Sequence, residues 1–161
     1  MLYLLDANVL ITAERDYYGF EQVPQFWDWL VDMGKANHIK IPYEIHKEIA
    51  DGRGELKDWI VQSDVKDALI LDEEADQDIV NDVLEQGYGE NLSDSDLEKI
   101  GRDPFLIAYA LAQPNRCVVS KEVSSPKKQG ANRKVPDVCN TVGVPLMKDF
   151  DLYKTLGFKA K

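Results

Sequence analysis

The chain has 161 residues, 44% hydrophobic and 30% charged, a length and balance that suit one soluble domain, residues 1–161, with a self-sufficient core. No apolar run reaches the roughly 18 residues of a membrane helix. The opening MLYLLDANVLI lacks a basic leader and carries Asp6 inside its apolar stretch, so no export signal is expected and a cytoplasmic setting follows.

The formal net charge is −10, from 29 acidic and 19 basic residues, the reverse of the basic surface that polyanion binders usually carry. Acids that converge on divalent cations would invert the local field, and Lys121, Lys127, Lys128, Arg133 and Lys134 concentrate positive charge in one segment.

Taken in order, the apolar run YLLD ending at Asp6 reads as a buried strand leading into a helix that starts near Ala7. In residues 23–36, Val23, Phe26, Trp27, Leu30, Val31 and Met33 recur at helical spacing, and Pro24 suits a first turn. HIKIP reads as a second strand ended by Pro42, and YEIHKEIAD as a helix stopped by Gly52 and Gly54. LKDWIVQS continues helically, and ALIL is either a minor strand or a helix end. EEADQDIVNDVLEQGY is a helix with acids in its first turn, where the dipole favours them.

After the polar loop YGENLSDSD, where Ser93 or Asp94 can cap, a longer helix follows Asp103, which can cap it while Pro104 takes the first helical position. Its core face is expected at Phe105, Ile107, Ala108, Leu111 and Ala112. RCVVS is a third strand, residues 121–134 a basic surface loop, VPDVCNTVG a short helix, VPLM a strand and FDLYKTLGF a terminal helix. This alternation predicts an α/β fold with a mainly parallel sheet and a ligand site at the carboxyl ends of its strands. Asp6, Ser120 and Glu122 fall at or just past such ends. Cys117 and Cys139, each beside apolar residues, read as two buried free thiols.

Singly, the acids have ordinary explanations: Asp6 or Asp103 as a helix cap, Glu48 as a solvated helix residue. Asp6 is the most informative, because an acid at the inner end of an apolar strand is costly to bury unless a cation or strong donors meet it. Carboxylates from distant segments meeting at one sheet edge would hold hard cations such as Mg²⁺. Two such ions about 3.5–4 Å apart can drive phosphodiester hydrolysis.

LLDANVLI, a hydrophobic strand followed by D-x-N and apolar residues, resembles the opening motif of the PIN-domain superfamily of metal-dependent nucleases, which includes the VapC-type toxins. IPYEIHKEIADG is similar to the second motif, in which a strand end precedes a helix bearing a Glu; that place falls on Glu48, with Glu44 as the fallback. GRDPFLIAYALA resembles the third motif and assigns Asp103, and RCVVSKE resembles the fourth, with Ser120 and Glu122 standing for its Thr and Asp.

The resemblance implies a three-layer α/β/α fold with a central, mainly parallel sheet. It also implies a Mg²⁺- or Mn²⁺-dependent endoribonuclease acting on single-stranded RNA, the toxin of a toxin–antitoxin pair, with an antitoxin protein and a homodimer as partners. Asp6, Glu48, Asp103 and Glu122 would be the catalytic acids; Asp6, Asp103, Glu122 and Asp137 the metal ligands; Asn8 and Ser120 their supports. Three departures stand out: Pro104 replaces a small residue, Glu122 replaces an Asp, and a basic loop stretches the fourth region before KVPDVC. Asp137 is therefore a second candidate for the last acid, and the pattern resembles a PIN-like subgroup distinct from the best-studied toxins.

The loop's Lys127, Lys128, Arg133 and Lys134 either grip an RNA backbone or are simply solvated. His38 and His46 lack metal spacing and receive no role. Trp27 reads as core, and Trp29 as a surface for a dimer or partner. Two other functions compete. A HAD-type phosphatase also starts with a strand ending in Asp, but its second Asp is here Asn8, which cannot supply a proton. The alternative of another class is a PIN-like fold kept as a nucleic-acid or protein binding module.

Overall fold

Four short strands run parallel through the centre of the computed structural model, which describes residues 1–160. They are β1 (Leu2–Leu5), β2 (Ile39–Lys40), β3 (Arg116–Val119) and β4 (Leu146–Met147), in the order β2-β1-β3-β4. The register pairs Tyr3 with Ile39, Leu5 with Val119 and Val119 with Met147. β1 and β3 are the inner strands and are buried nearly throughout. That accounts for their unbroken apolar runs, since a strand covered on both faces has no polar side to alternate with.

Ten α-helices surround the sheet among the described residues: α1 (Ala7–Thr12), α2 (Pro24–Lys35), α3 (Tyr43–Ala50), α4 (Glu55–Ile60), α5 (Ser63–Leu69), α6 (Gln77–Val83), α7 (Asp94–Ile100), α8 (Asp103–Ala112), α9 (Val135–Val142) and α10 (Asp149–Leu156). The result is a three-layer α/β/α fold with an all-parallel sheet. No helix among the described residues is long and apolar enough to cross a membrane.

From β1 the chain moves outward to β2, then returns to place β3 on the other side of β1. This reversal opens a crevice between the carboxyl ends of β1 and β3, the usual ligand position in such sheets. Asp6 and Ser120 are the next residues after those two ends.

The core is built around Phe26, Trp27 and Leu30 of α2, Leu4 and Leu5 of β1, and Leu106 and Ile107 of α8, all at most 2% exposed. Each such side chain contributes roughly 1.5–3 kcal/mol by leaving water. The Trp27 indole N–H satisfies itself on the Tyr18 carbonyl at 2.7 Å. Trp29 is half-buried among Phe26, Tyr153 and Phe158 rather than presented as a free surface.

Several local expectations change. The segment ALIL serves both roles: α5 ends at Leu69, and Ile70 makes a single parallel bridge to Ile41. Ser93 closes α7 with a reciprocal capping box, its hydroxyl taking the Asp96 N–H at 3.0 Å while Asp96 takes the Ser93 N–H at 3.0 Å. Asp103 does not cap α8. Arg102 enters with near-helical backbone angles (φ −98°, ψ −2°), so the helix begins one residue early and the Asp103 carboxylate makes no capping bond. Leu111 faces outward at 37% exposure and Phe105 is half-buried; the buried run is Leu106 through Ala110.

α1 and α6 each widen into a π-helical turn, Ala13–Tyr17 and Leu84–Tyr88. The second turn is pressed against α9, where a Cβ on Gly87 would meet Val138 Cγ1 at 2.5 Å.

Candidate carboxylate site

Asp6 sits in the β1–β3 crevice at 5% exposure. Its backbone N–H donates to the Val119 carbonyl at 2.9 Å, continuing the sheet by one bond. Its Oδ2 accepts from the Ser120 hydroxyl at 2.9 Å and from the Asn8 amide at 3.1 Å. Ser120 Oγ in turn accepts from Asn8 at 3.3 Å and from the Glu122 N–H at 3.1 Å, while Asn8 Oδ1 accepts from the Lys121 N–H at 3.0 Å. Asn8 and Ser120 thus fix the rotamer of Asp6 and tie β1 to the start of the basic loop.

Glu48 from α3, Asp103 from α8 and Glu122 after β3 share one electrostatic basin with Asp6. Burial pushes the Asp6 carboxyl up to about 6, opposed by the Ser120 hydrogen bond and reinforced by the charges of Glu122 and Glu48. Asp103 is pushed up to about 8, first by burial and then by Asp6, Glu122 and Glu48, with Lys134 pulling the other way. Glu48 is also raised by desolvation and partly relieved by Arg102. Glu48 as a whole is exposed.

These four acids come from four distant segments. Among the described residues, no three His, Cys, Asp or Glu side chains close into a ready-made ligand cluster. The site is an open basin of carboxylates that repel one another. Its chemistry fits a hard divalent cation: the donors are all carboxylate oxygens. The nearest thiol, Cys139, is a buried free cysteine whose pKa is raised to about 12, chiefly by burial.

Glu122 is well anchored. Its Oε2 accepts from the Val135 N–H at 2.7 Å at the start of α9, and the Lys148 ammonium donates to its main-chain carbonyl. Lys121 turns away to pair with Asp149 at 3.0 Å, lying over the rings of Tyr17 and Phe150.

Asp137 does not join the basin. Its oxygens accept from the Ser124 hydroxyl and from the Ser125 N–H, the latter at 2.8 Å, and these bonds hold its carboxyl below the usual range. Its charge does not figure among those felt at Asp6 or Asp103. Glu44 stands apart as well, with Oε2 accepting from the Tyr109 hydroxyl at 3.4 Å.

The basic residues separate into two kinds. Arg133 is committed to the fold, bonding the Gly87 carbonyl at 2.5 Å, the Asp137 carbonyl at 3.1 Å and Thr141 Oγ1 at 3.0 Å. Lys127 and Lys128 are exposed, and Lys134 is half-buried beside Asp103. One cavity of about 330 Å³ is lined by Asp103, Glu122, Tyr88, Lys99, Lys128 and Lys134, among others. A second, about 320 Å³, holds Glu48 with Arg15, Arg53 and Lys57. The acids therefore have cations on both flanks. A wider groove past Tyr43 and residues 72–74 includes none of the four acids.

Tyr88 and Lys99 belong to this region and to no sequence motif, while Arg102 lies within GRDPFLIAYALA with no role assigned to it there. Arg102 adjoins Asp103 in the chain, which is the one signal that could have found it. His46 is buried with Nε2 3.1 Å from the Ile60 carbonyl, and His38 is exposed.

The profile of a protein family described as a domain of unknown function, DUF4411, matches residues 3–160. No curated protein matches the chain.

Proposed function

The chain belongs to the DUF4411 family, and from its site we propose that it is a metal-dependent endoribonuclease of the PIN type, acting on single-stranded RNA. One observation carries the reading: at the sheet's switch point, burial and the charges of Glu122 and Glu48 hold the Asp6 carboxyl up, and burial with the charges of Asp6, Glu122 and Glu48 holds the Asp103 carboxyl up against the pull of Lys134. The residues that resemble the four PIN motifs are the same four that share this field.

In this reading Asp6, Asp103 and Glu122 hold Mg²⁺ or Mn²⁺. When bound, such a cation supplies charge stabilisation at the reacting phosphoryl group and its leaving oxygen. Asn8 and Ser120 keep Asp6 aimed into the crevice. Glu48, open to solvent on one side and raised in pKa, takes the proton of the attacking water. Lys99, Lys128 and Lys134 on one flank, and Arg53 and Lys57 on the other, engage backbone phosphates on either side of the cut bond. Cations on both flanks suit internal cleavage and offset the net charge of −10.

The same resemblance carries toxin–antitoxin pairing with a small protein partner and a homodimer as further proposals. The phosphatase reading is disfavoured, because the Asn8 amide is hydrogen-bonded to Asp6 and Ser120 and serves as an orienting group. A second reading, a binding module that grips RNA without cutting it, draws on the lack of a closed ligand cluster among the described residues.

Incubation with single-stranded RNA and Mn²⁺ separates the readings. The parent should cut internally, chelation should stop it, and Asp6→Asn should lower the rate by more than about 100-fold. Equal cutting by Asp6→Asn in nuclease-free preparations would refute the mechanism, and RNA binding without cutting under any cation would favour the module.

A further inference from the structure

Tyr88 ends the π-helical turn after α6 at 5% exposure, and its hydroxyl is buried without a hydrogen-bond partner. A buried hydroxyl that has lost water and gained nothing is costly, so an orphan of this kind calls for a function. The backbone just before it is held in place. Gly87 is held against Val138 of α9, and the Gly87 carbonyl is bonded by Arg133.

Tyr88 lines the cavity of about 330 Å³ that also holds Asp103 and Glu122. The remaining wall carries Lys99, Lys128 and Lys134, and among the described residues the ammonium groups of these lysines form no ion pair within bonding distance. A neutral buried donor, unpaired cations and a volume at the lower end of small-ligand pockets thus lie directly beside the acids.

We propose that this cavity is a phosphate subsite, which receives the phosphate of the nucleotide next to the bond being cut, with the Tyr88 hydroxyl as its buried hydrogen-bond donor and Lys128 and Lys134 as its counter-charges. The subsite rests on the nuclease reading for the identity of the neighbouring acids, but its own ligand chemistry is independent of cleavage. A neutral donor suits this position. The tyrosine hydroxyl stays uncharged there and keeps its proton to donate, because burial and then the charges of Asp103 and Glu122 raise its pKa.

The test is calorimetric titration of inorganic phosphate and of 5′-AMP into the full chain, with Mg²⁺ and with chelator, for the parent, Tyr88→Phe and Lys134→Ala. The parent should bind 5′-AMP. Tyr88→Phe should weaken that binding roughly 10-fold, the loss expected for one hydrogen bond to a charged group. Lys134→Ala should weaken it comparably. Tyr88→Phe should also unfold at the same or a higher temperature, because only the orphaned oxygen is removed, and should leave Mn²⁺ affinity within about threefold.

Phosphate binding as tightly as 5′-AMP would assign the subsite to the phosphate alone; tighter 5′-AMP would assign it to a nucleotide. Binding that depends on Tyr88 in a protein that never cuts RNA would keep the subsite and sink the nuclease reading. Equal 5′-AMP affinity of parent and Tyr88→Phe, no binding of either probe, or a loss confined to Mn²⁺ affinity would each overturn the subsite.

Discussion

Replacing Asp103 with Asn should make the metal-free protein more stable at alkaline pH. Asp103 makes no capping bond, so the amide removes charge and little else. Its carboxyl lies at about 8 in the fold against an ordinary value of 3.8. The folded state therefore holds more protons than the unfolded chain between those values, and stability falls as pH rises through that window. About four pH units at roughly 1.4 kcal/mol each set a ceiling near 6 kcal/mol. Asp6 titrates in the same basin, and water reaches the open crevice, so the realised gain should be a few kcal/mol. Urea unfolding in chelator should give equal midpoints for parent and Asp103→Asn near pH 4, separating progressively to about pH 8 with the variant ahead. Saturating Mg²⁺ should narrow the gap by stabilising the parent, by about 2.7 kcal/mol at a hundredfold excess over Kd. An Asp103→Asn protein no more stable than the parent at pH 8 in chelator would show that the acids do not crowd one another.

The remaining expectations concern neighbours of the basin. Glu122→Gln should weaken Mn²⁺ binding by more than about 100-fold in calorimetry, whereas Asp137→Asn should leave it nearly unchanged and destabilise the protein by weakening the bonds from Ser124 and Ser125. Since Lys134 pulls the Asp103 carboxyl down, Lys134→Ala should shift the acid limb of the pH–rate profile to higher pH; an unmoved limb would separate the two residues. Arg133→Ala should cost about 1–3 kcal/mol of stability, because it frees a clamp of three hydrogen bonds. Lys127→Ala with Lys128→Ala should leave the unfolding curve in place and flatten the salt dependence of RNA binding by about one unit for each phosphate that the lysines no longer neutralise.

Much of this arrangement is written locally in the chain. YLL and CVV are apolar without interruption because β1 and β3 are inner strands, and Asp6 and Ser120 stand out because each breaks such a run at its carboxyl end. Residues whose roles depend on distant partners are harder to place. Glu44 and Glu48 share one helix face, and only Tyr109, far along the chain on α8, draws Glu44 out of the competition. Spacing does not rank Glu122 against Asp137, since the path of residues 121–134 is set by Ser124, Ser125 and Arg133 folding back on α9. Asp-Pro at positions 103 and 104 reads as a cap followed by a first helical residue, yet the near-helical Arg102 starts α8 early and leaves the carboxylate unbonded. Tyr88 carries no signal at all. Nothing in the apolar spacing of α6 says that its end widens into a π-helical turn, and that turn is what brings the hydroxyl to the acids.

Whether Asp6, Asp103 and Glu122 hold a divalent cation can be read from a crystal soaked in Mn²⁺ and measured at the manganese absorption edge. Anomalous density is expected in the crevice between β1 and β3, with oxygens of Asp6 and Asp103 about 2–2.6 Å from the ion. Density only at surface acids elsewhere, or a crevice that stays empty at saturating Mn²⁺, would contradict it.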